Sequence, residues 1–188
     1  MVVHDGDVRS DAARNARAIL RAARDAVADE GIGASMASIA ARADVAVGTL
    51  YRHYPDKERL IAAVVEDATR RMVERITAAE RRVDDGADVG GELDALVREL
   101  AEVHAADRPF KHGEMLDPGA LSRSDDPLVA EGWQALGRLV ARAQQEGAVR
   151  TDVGLADLVV LVTSVPDDPE RRRAYVAVVL DGLRPPRR

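Results

Sequence analysis

Gly31-Ile32-Gly33-Ala34-Ser35-Met36-Ala37-Ser38-Ile39-Ala40-Ala41-Arg42-Ala43-Asp44-Val45-Ala46-Val47-Gly48-Thr49-Leu50-Tyr51-Arg52-His53-Tyr54-Pro55-Asp56-Lys57-Glu58-Arg59-Leu60-Ile61 holds two short helices and the start of a third. The glycines at 31 and 33 end whatever helix precedes them, and Ser35 is a good N-cap, its hydroxyl able to take an orphan N–H of the next first turn. Met36, Ile39, Ala40 and Ala43 follow at spacings of three and four, which marks one buried face. A tight turn comes at Asp44-Val45. Ala46 to Tyr54 then forms the second short helix, stopped at Pro55 because the residue before a proline is pushed out of the helical region. Two short helices around a turn of three or four residues make a helix-turn-helix. Leu50 and Tyr54 lie four apart and anchor the second helix inward, leaving Val47, Gly48, Thr49, Tyr51, Arg52 and His53 on or near its outer surface.

The flanking sequence is also helical. From Asp11 to Glu30, Ala16, Ile19, Leu20, Ala23 and Val27 keep one apolar face, while Arg14, Arg17, Arg21 and Arg24 line another. That cationic stripe is partly neutralised by Asp25 and Asp29, so only its first residues are candidates to approach a phosphate backbone. Asp56 caps a helix whose stripe runs from Leu60 and Ile61 through Val65, Ala68, Met72, Ile76 and Ala79 to Val83, before Asp84-Asp85-Gly86 breaks it. At ~1.5 Å per residue such a helix spans about 42 Å and can join two functions. A fifth runs from Gly91 to Asp107 with Leu93, Leu96, Val97, Leu100, Val103 and His104 on one side.

Residues 109–126 read as a loop with at most one short helix. Asp126-Pro127 and Asp168-Pro169 each supply an N-cap and a proline at the first helical position. They start helices carrying Val129, Trp133, Leu136, Val140 and Ala143 as far as Gly147, and Tyr175, Val176, Val179 and Leu180 as far as Gly182. Between them Asp152 is expected to cap a helix bearing Leu155, Leu158, Val159, Leu161, Val162 and Val165. Nothing reads as a strand. The expected fold is all-α, about nine helices, with a three-helix head in residues 1–55 and a helical remainder in 56–188.

Composition narrows the function. The chain has 188 residues and no cysteine, which removes disulfides, thiolate zinc sites and thiol redox sensing and suits a reducing cytoplasm. No run approaches the roughly 20 apolar residues that span a bilayer, and the first residues show no basic region followed by an apolar one. A cytoplasmic protein without membrane attachment is expected. The net charge is -6, but its distribution is uneven. Residues 1–59 hold 9 basic and 9 acidic side chains, whereas 60–188 hold 18 and 24. Any nucleic-acid surface must therefore be local.

The string from Gly31 to Ile61 resembles the signature of TetR/AcrR-family transcriptional regulators, above all Gly48-Thr49-Leu50-Tyr51-Arg52-His53-Tyr54 followed by Lys57-Glu58 and Leu60. The resemblance implies a dimeric repressor whose head binds double-stranded DNA and whose remainder binds a small-molecule inducer. The DNA-binding candidates are Ser35, Val47, Gly48, Thr49, Tyr51, Arg52, His53 and Lys57. Gly48 lets the backbone approach DNA closely, Thr49 and Tyr51 offer hydroxyls, and the Thr49 methyl can meet a thymine methyl. By resemblance His53 and Lys57 contact phosphate, and Arg52 can donate to phosphate or guanine. Two departures from the family pattern matter. Asp44 stands in the turn where Gly is common, and Ala46-Val47 replaces a capping residue and a polar reader, so reading would lean on apolar contact with thymine and on DNA shape.

The same resemblance implies a two-fold dimer through the helices near 152–165 and 169–182, hence a near-palindromic operator. It also implies a largely apolar inducer pocket among the middle helices, for which His104, Phe110, Met115, Trp133 and Leu136 are the candidates. No cofactor is expected. The rival readings are a metal-responsive regulator or a small helical enzyme using His104, Asp107, His112 and Glu114, although no nucleophile–base pair is evident. A purely architectural DNA binder without ligand is the third.

Overall fold

The computed structural model of the chain describes the backbone of residues 5–31, 33–107 and 122–186, with side chains from residue 14 onward and excluding 107. Among these residues the fold is all-helical: α1 Asp5–Glu30, α2 Met36–Arg42, α3 Val47–His53, α4 Lys57–Asp84, α5 Val89–Asp107, α6 Pro127–Gln145, α7 Leu155–Thr163 and α8 Pro169–Leu183. The expected ninth, short helix falls on a stretch of which 108–121 lie outside the described residues.

The capping chemistry accounts for most of the boundaries. Ser38 donates its backbone N–H to Ser35 Oγ at 3.0 Å, Arg59 to Asp56 Oδ1 at 2.7 Å, Leu128 to Asp126 Oδ1 at 2.9 Å and Arg171 to Asp168 Oδ1 at 2.8 Å. Three boundaries differ from the sequence reading. Helix α1 begins at Asp5 rather than Asp11, so the helix starts ahead of the apolar periodicity from which the sequence reading placed it. Helix α5 begins at Val89 rather than Gly91, where the Asp88 carboxylate takes the Gly91 N–H at 2.6 Å. Asp152 does not cap α7. Its carboxylate is held by Arg150 at 2.6 Å, and α7 begins three residues on, where Asp157 accepts the Gly154 N–H at 2.8 Å.

The described residues fall into two compact units, one reaching Asp67 and the other beginning at Ala68. In the first, Ile19, Ala23 and Val27 of α1 meet Met36, Ile39 and Ala40 of α2, Leu50 of α3, and Leu60 and Val64 of α4. Ala22 and Ala26 are buried as well, so the α1 face is wider than its larger side chains suggest. Arg24 pairs with Asp67 at 2.7 Å, and Asp29 pairs with Arg42. At the far end of the cationic stripe Arg24 is therefore neutralised across helices by Asp67, and Asp29 is engaged by Arg42 of α2.

The second unit is built on Ile76, Ala79 and Val83 of α4, Leu93, Leu96, Val97 and Leu100 of α5, Leu136, Leu139 and Val140 of α6, and the inner faces of α7 and α8. Alanine and glycine set how closely these helices pack. A Cβ built on Gly132 of α6 would lie 2.7 Å from Val73 Cγ2 of α4. The turn after α7 is tied down by the buried Arg172, whose Nη1 donates to the carbonyls of Pro166 and Asp167 at 3.0 and 2.7 Å and whose Nη2 donates to Glu102 Oε2 of α5 at 2.8 Å. Among the described residues no helix is long and apolar enough to cross a membrane.

Gly132→Ala should destabilise the chain by about 1–3 kcal/mol, because the added methyl forces α6 and α4 apart at a β-branched neighbour. Denaturant unfolding followed by circular dichroism measures this, and an unchanged midpoint would show that the contact relaxes freely.

Candidate nucleic-acid interface

The two short helices are joined by a turn that needs one residue in the left-handed region. Asp44 occupies it at φ 54°, a conformation that Asp tolerates better than most residues other than Gly and Asn. The turn closes through Asp44 N–H to Ala41 O at 3.2 Å and Val45 N–H to Ala40 O at 3.1 Å. The expectation that Asp would serve where Gly is usual is met by the geometry. Ala46 caps α3 without a side-chain hydrogen bond, so the first turn of α3 carries no side-chain acceptor for its orphan N–H groups.

Leu50 is fully buried, and Tyr54 is half-buried just beyond the helix. These two anchors turn the rest of α3 outward. Val47 is 42% exposed and Tyr51 48% exposed; Gly48 and Arg52 are exposed, and Thr49 and His53 are half-buried. The Arg52 side chain folds back along the helix: Nε donates to Gly48 O at 3.3 Å and Nη2 to Thr49 Oγ1 at 3.0 Å. Ser35 is exposed at the start of α2, and its Oγ, which accepts the Ser38 N–H, keeps its own proton for donation outward. Lys57 is half-buried at the first position of α4.

Gly48 is informative because nothing in the chain requires it. Its backbone is not in the left-handed region, and a Cβ built there would meet no atom within 4 Å. A helical glycine costs about 0.5–1 kcal/mol relative to alanine, so the open space over α3 is a feature of its outer face that folding alone does not explain.

Electrostatics around the motif are organised by one exposed cluster. Arg42 at the end of α2 donates to Asp29 Oδ2 at 2.7 Å and Glu30 Oε1 at 2.8 Å, and Ser38 Oγ donates to the same Glu30 oxygen at 2.9 Å. The Ser38 hydrogen bond first, and Arg42 second, hold the Glu30 carboxyl below its ordinary value. The ends of α1 and α2 are thus joined by charge-assisted hydrogen bonds. Burial pushes the Tyr54 phenol up, aided by Asp67 and Glu66. The Arg42 cluster and the Arg52–Thr49 bond are absent from the sequence reading. Only the latter left a trace there, the i, i+3 spacing of Arg52 and Thr49.

The inducer candidates are less well gathered. Leu136 is buried in the second core and His104 is buried on α5, while Trp133 is half-buried. Phe110 and Met115 lie outside the described residues, as do His112 and Glu114 and the side chain of Asp107. A narrow apolar crevice in the second unit, too tight for a water molecule, is lined by Leu93, Val140, Val149, Val153, Gly154, Leu158 and Leu183, none of them a candidate from the sequence.

Comparison with known proteins agrees with this architecture. Residues 19–64 match the family described as bacterial regulatory proteins of the tetR family, and residues 83–185, more than half of the chain, match the SbtR-like transcriptional regulator C-terminal domain. A TetR transcription regulatory protein from Mycobacterium vanbaalenii is 35% identical, with 95% of this chain and 99% of that one covered and a TM-score of 0.70. A TetR transcriptional regulator from Streptomyces coelicolor is 26% identical, covering 90% of this chain and 98% of that one at a TM-score of 0.69. The HTH-type transcriptional repressor KstR of Mycolicibacterium smegmatis is 38% identical over 92 residues, 48% of this chain but only 42% of KstR, so the match spans less than half of that repressor. The sequence motif, the helical fold and these matches agree: the chain belongs to the TetR family of DNA-binding transcriptional regulators.

Proposed function

We propose that the chain is a homodimeric repressor that binds a near-palindromic operator through α3 and leaves it when a small molecule binds the second unit. The observation that carries this reading is the outer face of α3, where an anchored seven-residue helix exposes Val47, Gly48, Tyr51 and Arg52, with a glycine that the chain itself does not need. Such a helix fits a major groove, and its first residues would meet base edges. Ser35, Thr49, His53 and Lys57 complete the contact set, mostly with phosphate. Residues 1–55 form the reading head in this account and residues 56–188 the sensing and dimerising part, at work in the cytoplasm. Helix α4 contributes Leu60 and Val64 to one core and Ile76, Ala79 and Val83 to the other, so it supplies the physical link for linkage between ligand and DNA.

Self-association is supported by α7 and α8. Val160 is 38% exposed and Val178 is 71% exposed, flanked on the same helices by exposed Ala156, Ala174, Ala177 and Gly182. Large apolar side chains with small neighbours suit helices packing closely across a two-fold axis. The inducer wall is assigned to His104, Phe110, Met115, Trp133 and Leu136, an apolar set with one polar group. The chain is assigned no catalytic role.

Selection of bound sequences from a random duplex pool tests the whole reading. A two-fold-symmetric site is expected, and absence of any preferred sequence at moderate ionic strength, after removal of co-purifying small molecules, would sink it. Gly48→Ala should raise stability by up to about 1 kcal/mol yet weaken operator binding roughly fivefold to hundredfold, as a methyl is forced into a close contact. Thermal melting and fluorescence anisotropy read the two effects separately, and unimpaired DNA binding would remove Gly48 from the interface. Tyr51→Ala and Lys57→Ala should weaken DNA binding with the dimer intact. Val178→Asp should instead give monomers in sedimentation analysis, with loss of operator affinity as a consequence; a variant that stays dimeric would place the interface elsewhere.

A further inference from the structure

Four large apolar side chains stand exposed among the described residues, and they form two pairs. Val160 and Val178 belong to the self-association face already proposed. Val47 and Tyr51 lie one turn apart on α3, at i and i+4, and so project from the same side. The sequence suggested the Thr49 methyl for contact with a thymine methyl, and an apolar contact with thymine from the Ala46-Val47 replacement as well. In the structure Thr49 is half-buried and its oxygen accepts from Arg52, so the exposed apolar contact passes to Val47 and its neighbour Tyr51.

The major groove offers such a contact only one kind of partner. Every base edge there displays polar donors and acceptors, and the single apolar group is the C5 methyl of thymine. A valine pressed against any other edge would strip water from a polar group without replacing the hydrogen bond. Val47 is the first residue of α3, where a recognition helix meets base edges. On the same helix the Arg52 guanidinium is steadied by Gly48 O and Thr49 Oγ1, which keeps a cation on α3 and suits a polyanionic partner.

We infer that Val47, backed by Tyr51, is the specificity-determining residue of α3 and reads one thymine C5 methyl in each operator half-site. This rests on α3 being the helix that enters the groove. The loss of one buried methyl is worth about fourfold in affinity, and about fifteenfold when it occurs in both half-sites.

The test uses the full chain and the duplex recovered by selection. Each thymine of the half-site is replaced in turn by deoxyuridine, which keeps base pairing and every hydrogen-bonding atom but lacks the methyl. Anisotropy at fixed salt should find one thymine per half-site whose replacement weakens binding by about fourfold, or about fifteenfold in both half-sites together. Val47→Ala should bind the thymine duplex more weakly and show no further loss with uracil, as expected for two partners of one contact. A wild-type chain indifferent to uracil at every position overturns the inference while leaving DNA binding intact, and so does a full uracil penalty that persists in Val47→Ala. Failure to select any duplex brings down both this inference and the reading of α3 on which it rests.

Discussion

A helix of seven residues in isolation is unstable in water, because the cost of nucleating it exceeds what two turns return. Helix α3 therefore depends on the burial of Leu50 against α1, α2 and the start of α4. Tertiary packing, not propensity, makes this helix, and it also fixes its rotation. With Leu50 inward, Tyr51 lies about 100° round the axis and faces outward, while Val47, nearer to Leu50 in angle but at the open start of the helix, is 42% exposed. The outer face of α3 is set by its two anchors, Leu50 and the half-buried Tyr54. Everything that steadies Leu50 serves that surface: the Asp44 turn, the Arg42 cluster joining α1 to α2, and Tyr54 packed against the first core.

The two cores use different means for similar ends. The first is small and rich in alanine, and it is reinforced at its rim by ion pairs such as Arg24 with Asp67. These pairs are partly exposed and individually modest, but they bind separate helices to one another. The second is larger and mainly leucine and valine. Its exposed pairs, among them Arg142 with Asp84 and Arg82 with Glu92, lie around an apolar interior. In both units arginine supplies the cations, as it must in a chain with only Lys57 and Lys111. Its planar fork reaches two acceptors at once, which is how Arg42 holds Asp29 and Glu30 together.

Much of this was legible in the residues. The helix-turn-helix announced itself through Ser35, the Asp44 turn, Pro55 and the Leu50–Tyr54 spacing, because caps and breakers act locally and need no knowledge of the fold. The proline-led starts of α6 and α8 are visible for the same reason. Asp152 misled because a carboxylate before an apolar run looks like a cap until its arginine neighbour is seen to hold it. Arg42 and Arg172 were illegible: their partners lie up to 70 residues away in sequence, and a periodicity reading treats an arginine as solvated. The exposure of Val47, Gly48, Tyr51 and Arg52 on α3 was legible from the Leu50–Tyr54 spacing, whereas the bond that Arg52 makes to Thr49 was not, because side-chain direction is set by contacts and not by spacing. The inducer candidates rested on family habit and on a loop, with no local chemistry to fix them.

Arg172 carries an evolutionary consequence. Two backbone carbonyls, of Pro166 and Asp167, take its hydrogen bonds, and backbone acceptors cannot be mutated away. A replacement at 172 that cannot donate removes both bonds, whatever happens at Glu102. Drift at this position is therefore constrained by the main chain rather than by another side chain, and a descendant could lose the arginine only by remaking the length or path of the turn. Descendants could thus vary widely around α5 and α6 while the corner between α7 and α8 stayed fixed in shape.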